Sequence, residues 1–124
     1  MLGSEITVRF ERRPLKTADV LALCAATNTS EDGVVMAFRE TMAQMWTVQR
    51  IEDIHEVRLL SFTAKMEATM TREQGPLPPG TPRLTTDCWL AIARIMHTYF
   101  PVDDAVVAVQ TARLRGDPWG AQGL

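Results

Sequence analysis

Histidine and cysteine are nearly missing from this sequence: its 124 residues hold two of each. A zinc centre needs three or four ligands brought together, and Cys24, Cys88, His55 and His97 each stand alone in the chain. Histidine acid–base chemistry has only His55 and His97 to draw on. His55 sits among Glu52, Asp53 and Glu56, a solvated cluster suited to a helix start; His97 falls in an apolar helical pattern, as a core or interface histidine does. Also missing are a glycine-rich phosphate loop, a nucleophile elbow and a dinucleotide fingerprint, and no calcium-loop pattern surrounds Glu52-Asp53 or Asp103-Asp104. The expectation is a non-enzyme without catalytic residues, metal or cofactor.

No apolar run approaches the roughly 20 residues of a membrane span. Met1 to Glu11 lacks the basic start, apolar centre and small-residue cleavage site of a secretory signal. A cytoplasmic location without membrane contact is therefore expected, and Cys24 and Cys88, both inside apolar patterns, are expected as buried free thiols. The formal net charge of −2 supplies no overall attraction to nucleic acid. Arg9, Arg12, Arg13 and Lys16 form the densest basic cluster, but no aromatic residues interleave it in the manner of a nucleic-acid surface. A solvated strand end accounts for it, with contact to an anionic partner as the alternative.

What is present is a globular balance, 46% hydrophobic and 23% charged. The length suits one core, so residues 1–116 are expected as a single domain and 117–124 as a loose tail. The most demanding segment is Thr86 to Phe100, whose apolar residues on every side are interrupted only by Asp87, Arg94 and His97. A helix with so little polar surface must be wrapped by the rest of the domain or by a partner.

Ile6, Val8 and Phe10 alternate with polar residues, the period of a strand. A lone strand leaves backbone groups unsatisfied and needs a partner within the chain or on another subunit. Thr47 to Ile51 and Val102 to Val109 are the internal candidates, although both read more readily as helix or turn. Thr17 is a candidate cap for a first helix that stops at Thr27 to Ser30. Thr29 or Ser30 opens a second, with a stripe of Val34 or Val35, Phe38, Met42, Met45 and Trp46. Asp53 and Glu56 resemble a capping box opening a third helix to about Glu73. That helix carries two stripes, one of Leu59, Phe62, Met66 and Met70, another of Ile54, Val57, Leu60 and Ala64, which implies contact on two sides. The proline- and glycine-rich stretch from Gln74 to Leu84 is expected as an extended hinge. Thr85 or Thr86 caps the apolar helix, Pro101 ends it, and Asp103 caps a last helix that closes at Gly116. The fold class expected is mainly α: about five helices in a compact bundle with one short N-terminal strand.

Six of the seven methionines join Trp46 and Trp89 on helical faces, where flexible, polarizable side chains can serve an adaptable contact as well as a core. Trp46, Phe62, Met66, Trp89 and Met96 are the candidate contact residues. The strand Ile6 to Phe10, the turn Arg12-Arg13-Pro14-Leu15 and the leucine- and alanine-rich helices up to Met70 resemble, in layout, the small tail assembly chaperones of long-tailed phages. That resemblance implies a helical holdase that binds a tape-measure protein and has no catalytic residues; it leaves the C-terminal half of the chain unaccounted for. The function expected is protein–protein interaction or assembly, with a protein partner or homo-oligomer. The alternative is a small regulator or inhibitor that meets a nucleic-acid-processing complex through its basic N-terminal patch.

Overall fold

The computed structural model of the protein describes residues 5–9 and 14–116. Its elements follow the order β1 (Ile6–Val8), α1 (Thr17–Thr27), α2 (Glu31–Ala43), β2 (Trp46–Val48), α3 (Asp53–Gln74), α4 (Thr86–Met96) and α5 (Asp104–Arg115). The mainly helical class and the five helices expected from the sequence are what the described residues form. The strand's missing partner lies inside the chain: β1 pairs antiparallel with β2, Ile6 opposite Val48 and Val8 opposite Trp46. Trp46 therefore leaves the stripe assigned to the second helix, which stops at Ala43, and Met45 is exposed. Val8, Val48 and Ile54 close a small apolar cluster under this ribbon, with Trp46 and Val57 packed against it. Strand pairing and this burial outweigh the helical spacing of Met45 and Trp46, a spacing that carried no information about a sheet.

The first helix starts at Thr17, the residue expected to cap it, so its boundary lies one residue earlier. Lys16, not Thr17, is the boundary residue and makes no side-chain cap. Asn28 takes the left-handed conformation at the end (φ 53°), and its N–H returns to the Cys24 carbonyl. Ser30 caps α2 by accepting from the Gly33 N–H at 3.0 Å. The last turn of α3 then fastens this whole link. Glu73 accepts from the Ser30 N–H at 2.8 Å and from the Ser30 hydroxyl at 2.6 Å. Its neighbour Gln74 donates to the Thr27 and Asn28 carbonyls at 2.9 and 3.0 Å. Adjacent α3 residues thus satisfy the end of one helix and the start of the next.

Close approach of α2 and α3 depends on Gly33. A Cβ built there would lie 2.7 Å from the Thr69 methyl and 2.6 Å from Glu73 Oε2. Farther along the same contact the Phe38 ring meets Phe62 edge-on at 6.2 Å and stacks near Phe100 at 6.0 Å. The first stripe of α3 faces this core, with Leu59, Phe62, Met66 and Met70 all buried. The expected capping box at its start does not form: Glu52 is helical and caps nothing, while Asp53 pairs with Arg50 at 3.0 Å. The chain enters α3 through a turn in which the Asp53 N–H already bonds the Arg50 carbonyl, so the side-chain cap has no open amide to serve.

Residues 75–85 contain no helix or strand, and Arg83 draws the segment back by donating to Gln74 Oε1 at 3.0 Å and to the Gly75 carbonyl. Thr85 caps α4 through the Cys88 N–H. The apolar helix is wrapped by α1, α3 and α5, and Trp89, Ile92 and Met96 are wholly buried. It ends at Met96 rather than at Phe100, because the residue before Pro101 is disfavoured in the helical region; the chain turns, with the Tyr99 and Phe100 N–H groups both on the Met96 carbonyl. Tyr99 then reaches α1: its hydroxyl accepts from the Lys16 N–H at 2.8 Å and donates to Asp19 at 2.7 Å.

Two outcomes are expected. Gly33→Ala, a change that raises intrinsic helix propensity by about 1 kcal/mol, should here lower stability by about 1–3 kcal/mol in urea denaturation because the Thr69 methyl must give way. Glu73 is held below the usual carboxylate range by its two Ser30 hydrogen bonds. A depressed folded-state pKa contributes stability that is present above the unfolded value, near 4.5, and is lost as pH falls through the folded one. Acid unfolding of Glu73→Gln should therefore show a shallower loss of stability below that pH than the unaltered protein.

Candidate functional site

Four of the five candidate contact residues lie inside the molecule. Phe62, Met66, Trp89 and Met96 have no exposed surface and belong to the main core, so they cannot present themselves to a partner without opening it. Their helical spacing is the spacing of a core stripe. Trp46 is half-buried on β2, and its indole N–H has no hydrogen-bond partner among the described residues. Of the basic cluster, Arg9 and Lys16 are exposed, while Arg12 and Arg13 lie outside the described residues, as does the expected tail 117–124.

The residues weighed for chemistry are dispersed. His97 is exposed at the end of α4 rather than in this chain's core, because the helix stops before it. Cys24 is half-buried and Cys88 buried, and no disulfide joins them. Burial pushes both thiols up, with Glu31 and Glu73 adding to the effect at Cys24 and Glu67 at Cys88, so both remain protonated and weakly nucleophilic at neutral pH. Among the described residues no group of three or more histidine, cysteine or acidic side chains is arranged to hold a metal ion.

The surface feature that does emerge comes from the second stripe of α3. Ile54 and Val57, its first members, are covered by the ribbon. Leu60 is not. It lines a cavity of about 230 Å³ with Glu56 on its own helix and Ala105, Val106, Val109 and Gln110 on α5. Leu60, Val106 and Val109 are only half-buried, and Thr111 is the one fully buried residue of α5 among those described. A second cavity of about 480 Å³, where the starts of α3 and α5 converge, shares the lining residues Glu56 and Val106 with it. Glu52, Asp53, His55 and Asp103 line this mouth together with Arg50. Arg50 is 73% exposed and engaged with Asp53, and Asp103 is engaged with the Ala105 N–H at 3.1 Å.

The outer wall of the groove is positioned from the core. Trp89 donates its indole N–H to the Thr111 hydroxyl at 3.1 Å, and that hydroxyl donates to the Val107 carbonyl at 2.7 Å. This fixes the rotation of α5 with Thr111 inward; Val106 and Val107 both pack in part against the core, and Val106 and Val109 line the groove. An aliphatic floor with an acidic mouth can seat aliphatic side chains and attract ammonium or guanidinium groups. The sequence signal for it was the surplus stripe on α3; the contribution of α5 was not legible, since its valines read equally well as core.

Comparison of the chain with family models, with curated proteins and with solved structures yields no match. Among the described residues no helix is long and apolar enough to cross a membrane.

Thr111→Val keeps the shape of the side chain but leaves the buried Trp89 N–H without its acceptor. A stability loss of about 1–3 kcal/mol is expected, accompanied by faster amide hydrogen exchange in α5 than in α2, which shares no contact with Thr111.

Proposed function

We propose that the protein is a non-enzymatic interaction or assembly protein that docks a protein partner in the groove between α3 and α5. The observation that supports this reading is the half-covered aliphatic surface of Leu60, Val106 and Val109, lying between two helices and adjoining a carboxylate-lined mouth. A helix that offered only a core face would bury its valines, whereas Val106, Val107 and Val109 are all half-buried. Here α5 holds a second apolar face at the surface. The tail-assembly-chaperone-like holdase, to which the layout of the N-terminal region is similar, is the narrower form of this proposal, with an elongated helical protein as its client.

A photoreactive phenylalanine analogue at Val109, in cells of the natural source, should form adducts with a discrete partner, whereas the same analogue at the exposed Met36 on α2 should not. Adducts equal at both positions, or absent at Val109 in a folded protein, count against this reading.

A further inference from the structure

We propose that the occupant of the α3–α5 groove is a cationic amphipathic helix of a partner protein. Its aliphatic residues rest on Leu60, Val106 and Val109, and its lysines or arginines face Glu52, Glu56 and Asp103. The inference rests on the reading of the chain as an interaction protein and adds the chemistry of the partner.

Charge decides the class of occupant. The mouth carries four carboxylates, Glu52, Asp53, Glu56 and Asp103, against the single guanidinium of Arg50. Two of the four are engaged by hydrogen bonds, Asp53 with Arg50 and Asp103 with the Ala105 N–H, and Arg50 also attracts Glu52 and Glu56 through charge. The side chains of Glu52 and Glu56 accept no hydrogen bond from a described residue. The N-terminal ends of α3 and α5 offset part of this negative charge through their dipoles, but half an elementary charge per helix end does not neutralise the cluster. An anionic partner is repelled from this mouth. A cationic one gains Coulomb attraction and faster encounter.

Shape decides the form. The apolar cavity, about 230 Å³, lies below the roughly 300–1,000 Å³ of most small-molecule sites and the mouth, about 480 Å³, lies within that range, so the helical walls rather than the volume decide the form. The cavity walls are two helices, and the apolar floor runs beside them to the acidic mouth. That layout accepts side chains projecting at three-and-four spacing from a third helix, with the charged flank of that helix over the mouth.

The test uses a fluorescein-labelled designed peptide of about five turns, with leucines at three-and-four spacing flanked by lysines, and a second peptide with glutamates in place of the lysines. Anisotropy reads affinity, and amide chemical shifts of the full chain read location. The lysine peptide should bind and shift the amides of Glu56, Leu60, Val106 and Val109, and the affinity should fall about tenfold in the double variant Glu52→Gln, Glu56→Gln and fall further with added salt. The single variant Glu56→Gln, isosteric at a half-buried site, should show a smaller loss and guards against misfolding of the double one. Equal binding of the glutamate peptide, undiminished binding by the double variant, or shifts located elsewhere overturns the inference. So does concentration-dependent dimerisation in light scattering that Val109→Glu abolishes, which would make a second copy the occupant. Photoadducts at Val109 without lysine-peptide binding would overturn the charge argument alone and leave the docking reading intact.

Discussion

The burial of α4 is the constraint from which the rest of the architecture follows. Its eleven residues carry Trp89, Ile92 and Met96 with no surface exposed and Cys88 and Ala93 nearly so. Fully burying each large apolar side chain is worth about 1.5–3 kcal/mol, but only if neighbours are supplied on several sides at once. The chain supplies α1, α3 and α5. The indole N–H of Trp89 adds a directional demand to this non-directional one. It must find an acceptor in the interior, and the acceptor chosen, Thr111, sets how α5 is rotated. A core requirement thereby decides which valines of α5 are left facing outward.

The long helix α3 translates that core into two separated ends. At 22 residues it spans about 33 Å. Its last turn is committed to structure: Glu73 and Gln74 satisfy the link between α1 and α2, and Gly33 lets the helices approach there. Its first half packs under the two-stranded ribbon and then presents Glu56 and Leu60 to the groove. Locking one end leaves the other end free of that duty. At the locked end Glu73 and Gln74 are paired by hydrogen bonds to the α1–α2 link, whereas among the described residues no hydrogen bond reaches the side chains of Glu52 and Glu56 at the groove end, which interact with Arg50 through charge alone.

Much of the fold was legible because it is written in local chemistry. Short oxygen-bearing side chains announce helix starts: of Thr29 or Ser30 and Thr85 or Thr86 it is Ser30 and Thr85 that cap, and Asp103 caps as expected. The apolar periodicity of Leu59, Phe62, Met66 and Met70 fixed one face of α3 before any contact was known. Local signals also misplaced some ends, at Thr17, Asp53 and Phe100, and the non-local pairing was only partly legible, through the candidate stretch Thr47 to Ile51. The pairing of β1 with β2 joins residues some forty positions apart, and a three-residue strand at Trp46 has too little sequence to show a period of two. The candidate contact residues failed for a related reason: an apolar stripe reports that a face is buried, not what buries it. Phe62, Met66, Trp89 and Met96 are buried by this chain itself. The groove emerged only after subtracting from the second stripe of α3 the part that the ribbon covers.

The energetics of that groove define the association it supports. Leu60, Val106 and Val109 are already half-buried, so completing their burial contributes roughly half of the 1.5–3 kcal/mol that full transfer of each would give. A few kcal/mol of this kind does no more than offset the lost translational and rotational freedom of a bound helix, which is about 4 kcal/mol at the least. Aliphatic contact alone therefore yields no lasting complex. Affinity must come from the apolar surface that a partner brings and from the charges at the mouth, and the second of these acts on encounter and on choice of partner more than on residence time. Under the docking role proposed above, a site built in this way would hold a partner briefly and release it, the behaviour of a protein that accompanies an assembly rather than one that remains part of it.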